Sequence, residues 1–119
     1  MASRIDTSSL TTLHYVGIAL AALSGVIHLV LGVPSLPTAF GVSFLVAAVG
    51  FGVGIAMVAL NVRRRLAYLV GIPFVLGQVV IFAYTVVQGL NQLSPVAAVD
   101  KLAQLALVAI LVVLLRRGE

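Results

Sequence analysis

Four stretches of this 119-residue chain are each about as long as a bilayer's hydrocarbon core requires: residues 13–33, 38–60, 66–88 and 95–115. The first three carry no formal charge, and the fourth carries only the adjacent pair Asp100 and Lys101. A spanning helix needs about 20 mostly apolar residues at a rise of about 1.5 Å each. Lipid offers the backbone no hydrogen bonds, so each stretch is expected to be α-helical. A soluble fold would need a polar surface, yet only 8% of residues are charged, against roughly 25% in an ordinary soluble domain. The expectation is an all-α integral membrane four-helix bundle, up-down-up-down, formed by one domain over 13–115. A polar N-terminal tail, 1–12, precedes it and a short C-terminal tail, 116–119, follows.

The separators agree with four helices. "PSLP" at 34–37 fixes φ twice and ends the first run. "NVRRR" at 61–65 is a charged turn. "GLNQLSP" at 89–95 offers Gly89 as a stop, Ser94 as an N-cap and Pro95 at the first helical position. Short connections make sequential helices antiparallel neighbours. The first run is too long for a signal-peptide core and lacks a clear small-x-small cleavage pattern, so it is read as a retained span. With four spans, Arg4, Arg63, Arg64, Arg65, Arg116 and Arg117 fall on one side and Lys101 on the other. The positive-inside rule then places both termini in the cytoplasm, with the plasma membrane as the location.

Cysteine is absent, which removes disulfides, thiolate metal sites and Cys nucleophiles together. The formal charge of +4 sits in short clusters at the ends of apolar runs, not on one basic face, so the expected partner is the lipid bilayer and not nucleic acid. No nucleophile–base pair, metal cluster or phosphate-cradling loop followed by Lys is visible, and the GVG of "GFGVGIA" lies inside a span. No enzyme activity, cofactor or metal is expected.

Small residues recur at four-residue spacing. Gly17, Ala21 and Gly25 do so on the first span, and Gly50 and Gly54 form a G-x-x-x-G on the second. Such faces let helix backbones approach closely. They serve either packing inside one chain or a homo-oligomer contact.

Polar side chains in hydrocarbon are costly and turn toward a bundle's interior. Counting from the span edges, His28 and Asp100 lie at similar depth, and so do Gln104 and Gln78. In a ring of four helices the first and fourth are neighbours, as are the third and fourth. The expectation is a ladder in which Asp100 accepts a hydrogen bond from His28, and Gln104 meets Gln78. A buried His–Asp pair serves as an interhelical clasp or as a proton relay. The competing reading makes Asp100–Lys101 an interfacial pair, with Lys101 snorkelling to water, or makes Asp100 a cap. Gln78 is also placed to satisfy the carbonyl near Leu69 that Pro73 frees. Tyr15, Tyr68 and Tyr84 are expected near the interfaces.

His14 and His28 stand two heptads apart, roughly 21 Å along a helix axis, on the stripe of Gly17, Ala21 and Gly25. Stacked b-type haems would want imidazoles at about this spacing. Bis-histidine ligation of two haems needs four histidines and the chain has two, so only a parallel homodimer would supply the set.

"LHYVGIALAALSGVIHLVLGV", "RRRLAYLVGIPFVLGQVVIFAY" and "DKLAQLALV" resemble a group of small four-span membrane proteins common in halophilic archaea. That group has no assigned activity, so the resemblance implies topology and an archaeal membrane in high salt, and adds no catalytic residue. The leading functional expectation is a non-enzymatic bundle or an accessory subunit of a membrane complex. The alternatives are a small oligomeric transporter or channel using Asp100 and Gln78, and a homodimeric haem protein using His14 and His28.

Overall fold

The computed structural model describes residues 8–119; most of the polar tail, with Arg4, lies outside the described residues. Helix α1 (Thr12–Gly32) runs into a 3-10 turn at Val33–Ser35 and is followed by α2 (Ala39–Ala59), α3 (Arg64–Val87) and α4 (Pro95–Arg117). There is no strand among the described residues. Three of the four starts have a side-chain cap: Thr11 for α1, Thr38 for α2 and Ser94 for α4, where Pro95 takes the first turn. Each supplies an oxygen to a backbone N–H that the helix itself leaves unpaired.

The start of α3 is made differently. Its cap residue Arg63 sits at φ 51° and Asn61 at φ 54°, a left-handed conformation that costs a non-glycine residue roughly 1–2 kcal/mol. Arg64 offsets this by folding back: its Nε donates to the Val58 carbonyl at 2.8 Å and its Nη1 to Ser9 Oγ at 2.7 Å. The arginine therefore joins the helix, so α3 begins two residues before the apolar run does. At the other extreme α4 carries on through Arg117 and ends at Gly118, whose φ of 71° suits glycine.

The helices form a ring. Helix α1 packs along α2 and α4, and α3 along α4, while α2 and α3 touch least. Arg63, Arg64, Arg65, Arg116 and Arg117 gather at one end, called here the arginine end, with the start of α1. The two longer connections, 33–38 and 88–94, lie at the opposite, connection end. The shared core joins Ala21, Phe51, Val75 and Leu107, one residue from each helix. A second cluster of Val58, Tyr68 and Leu114 fills the arginine end. Tyr68, one turn into α3 at that end, turns into the bundle and not outward, at 2% exposure. Tyr15 and Tyr84 do face outward.

Outward faces are as apolar as the core, with Val30, Val49 and Ile81 each more than half exposed. A helix hydrophobic all round is a core helix or a membrane span, and among the described residues nothing covers these faces. All four helices are long and apolar enough to cross a membrane.

The small residues divide between two uses. A Cβ on Gly17 would stand 3.2 Å from Ile110 Cγ2, and one on Gly25 3.3 Å from Phe51 Cβ. Gly50 is pressed against the Phe74 ring, where a Cβ would fall 2.6 Å from Cζ. These glycines let α1 approach α4 and α2, and let α2 approach α3. Gly54 has open space beside it, as does Gly52.

Candidate functional site

Buried residues on α1 follow 14, 17, 21, 24, 28, the three-four spacing of a helix seam. On α4 the seam includes Asp100, Ala103, Gln104 and Leu107. Where the seams meet toward the connection end they place Ser24, fully buried, against Asp100 and Gln104, at 4% and 0% exposure. Four side chains close a ring. Ser24 Oγ donates to Asp100 Oδ1 at 2.6 Å. Gln104 Nε2 donates to Ser24 Oγ at 3.0 Å. Lys101 Nζ donates to Gln104 Oε1 at 3.0 Å and meets Asp100 Oδ2 at 2.9 Å.

Gln78 extends the ring to α3, its Oε1 accepting from Gln104 Nε2 at 2.9 Å. Its own Nε2 donates to the Phe74 carbonyl at 3.2 Å. That carbonyl lies one turn back from Gln78, so the amide does not serve the group near Leu69 that Pro73 frees. The geometry brings Gln104 and Gln78 together as the depth argument anticipates.

His28 and Asp100 come close without the expected hydrogen bond. Nδ1 and Oδ1 are 4.0 Å apart. The His28 Nδ1–H donates instead to the Ser24 carbonyl at 2.8 Å, one turn back on its own helix. The Ser24 hydroxyl, a shorter reach away, takes the carboxylate oxygen. The imidazole is held between Phe44 and Phe51, with ring centroids at 4.7 and 5.7 Å.

Lys101 also departs from expectation. It does not snorkel; its side chain is 16% exposed, paired with Asp100, and its ammonium lies 5.2 Å from the Phe82 ring centroid. Asp100 is no cap, because Ser94 already caps α4. The pair is charge-neutral and partnered on both sides, as buried charges need to be.

His14 belongs to a different construction. It is 1% exposed and lies at the arginine end of α1. Nδ1 accepts from Thr11 N at 2.9 Å, completing a reciprocal capping box with the Thr11 hydroxyl. Nε2 therefore carries the proton and donates to the Glu119 carbonyl at 2.8 Å. Both ring nitrogens are engaged, so neither is open to an iron. The stripe between the two histidines is filled by Ile110, Leu107 and Phe51. The space left there is about 70 Å³, well short of the roughly 300 Å³ at which ligand pockets begin. The residues present do not fit a haem.

Two participants escaped the sequence reading. Ser24 adjoins Gly25 of the four-residue stripe, and only the three-four spacing from His14 selects it. Arg64 read as one of three topogenic arginines, and nothing in "RRR" marks the one that turns inward. Among the described residues no group of His, Asp or Glu is arranged to hold a metal ion.

The fold and the ring define an all-α four-helix protein, each helix apolar and long enough for a bilayer, with a polar clasp buried off-centre. Residues 2–115 match the model of a family of unknown function, DUF7475, and the chain belongs to that family. No curated protein matches the chain, and no solved structure does.

Proposed function

We propose that this is a non-enzymatic, multi-pass plasma-membrane protein with both termini cytoplasmic, working as a helical subunit of a larger membrane assembly. The observation that carries the reading is the closure of the Ser24–Asp100–Lys101–Gln104 ring. Each member is satisfied by another, and the charges cancel. Such a ring joins helices and has no vacant acid or base to do chemistry. The neutralised Asp100 favours a clasp over ion-coupled transport, which needs a carboxylate free to change its charge. The subunit role is supported by α2, where exposed Gly52 leaves open space that suits the approach of another helix. The arginine end supports the orientation through the positive-inside rule, and the resemblance to small four-span proteins supports an archaeal plasma membrane.

Two measurements test this. The chain has no cysteine, so Asn91→Cys and Gly118→Cys can be labelled singly with a membrane-impermeant maleimide. Labelling of the first alone in intact cells is expected, and labelling of the second alone inverts the topology. Crosslinking at native expression, followed by mass measurement in mild detergent, is expected to give a species heavier than one chain. A lone monomer in both preparations rejects the subunit role.

A further inference from the structure

His28 lies beside the polar ring and outside it, held only through Nδ1. Toward the connection end, α2 and α3 part around a crevice of about 380 Å³, with Leu90 and Asn91 at its mouth. That volume lies within the roughly 300–1,000 Å³ of small-molecule sites. His28 lines it at 3% exposure. Because Nδ1–H is donated to the Ser24 carbonyl, the neutral ring keeps a lone pair on Nε2. Nε2 has no partner among the described residues and is not one of the orphan polar atoms sealed away from the surface.

Two further wall groups show the same polarity. The Ser43 and Thr85 hydroxyls donate to the Phe40 and Phe82 carbonyls of their own helices, each at 2.8 Å. Their protons face the backbone, and their oxygens keep acceptor capacity. Phe40, Phe44 and Phe82 supply apolar wall. The one charged group on the wall is Lys101, already balanced by Asp100.

This lining selects among ligand classes. A cation would give up its water beside the Lys101 ammonium with no free counter-charge. An anion would meet lone pairs on His28, Ser43 and Thr85. The donors it would find are the Lys101 ammonium, already paired with Asp100, and the neutral amides of Gln78, which donates to the Phe74 carbonyl, and of Asn91 at the mouth. A neutral molecule with one hydroxyl donor and a ring-sized apolar body meets neither cost. We propose that the crevice is a binding site for a small neutral hydroxyl compound, phenol-like or alcohol-like, which donates its O–H to His28 Nε2 and rests its apolar body against Phe44 and Phe82. The site stands whether or not the chain works as a subunit.

The test uses the full chain in mild detergent with ¹⁵N-labelled histidine. Phenol is the probe, and anisole, of similar body but without a donor, is the control. The His28 Nε2 resonance is expected to move saturably toward its hydrogen-bonded position with phenol. Anisole should bind about tenfold more weakly, the value of one hydrogen bond, and leave that resonance in place. Thr85→Leu, which fills the crevice from its rim without touching the ring, should abolish the phenol response at unchanged melting temperature. A non-saturating shift, equal binding of anisole, or an unaltered response in Thr85→Leu would each overturn the proposal. The wild-type titration decides the matter even where a His28 variant does not fold.

Discussion

Replacing Lys101 with Met tests the central claim, that the Asp100–Lys101 pair is a buried clasp. Met keeps the unbranched apolar stem and deletes the ammonium. Lys101 Nζ and Asp100 Oδ2 are 2.9 Å apart, so at an effective dielectric of about 20 their gross attraction is roughly 6 kcal/mol. Much of that is offset by the cost of taking both ions out of water. The measurable quantity is the penalty of leaving Asp100, 4% exposed, without its counter-charge, which for buried pairs is about 3–5 kcal/mol. Gln104 Oε1 loses a donor in the same substitution. Asp100→Asn in the same chain removes the orphaned charge, so the double variant is expected to recover about 1.5–3 kcal/mol of the loss. The assay is reversible unfolding in mixed micelles, for wild type, both single variants and the double. A Lys101→Met cost below about 0.5 kcal/mol, the scale of an exposed pair, would refute the reasoning and return Lys101 to the interface.

Three other substitutions separate roles that look alike in sequence. Gly41→Ala places a Cβ 2.7 Å from the Ser35 carbonyl group and 2.8 Å from Gly32 O, all backbone, and should lower stability by about 1–3 kcal/mol in the same unfolding assay. Gly52→Ala meets nothing within 4 Å, so it should leave monomer melting unchanged while reducing the heavier crosslinked species. Arg64→Met should lose about 2–3 kcal/mol through its bonds to Val58 and Ser9, whereas Arg65→Met, at an exposed position, should stay within about 0.5 kcal/mol in a thermal melt.

Much of the candidate site was legible because helical geometry converts residue number into depth. Counting from the span edges put Gln104 level with Gln78, and their amides meet. The same count put His28 level with Asp100, and they stand 4.0 Å apart. Depth is one coordinate, however, and hydrogen bonding depends also on rotation about each axis. Rotation brought Ser24 between the two and turned Lys101 inward over Phe82. His14 shows the same limit. Its position at a helix entrance was readable and its capping bond to Thr11 is local, but its reach to Glu119 depends on a C-terminal segment 105 residues away.

Length and hydropathy alone dictated helices of bilayer-spanning size, because a backbone in lipid has no partner but itself. Proline, glycine and capping residues set where those helices stop, since such effects act within one turn. Which polar atoms pair, which glycines are consumed by close packing, and where α2 and α3 part to leave a crevice all rest on how four rods turn against one another. That choice is a sum of small dispersion and hydrogen-bond terms spread over the whole interface, and no local run of residues carries it.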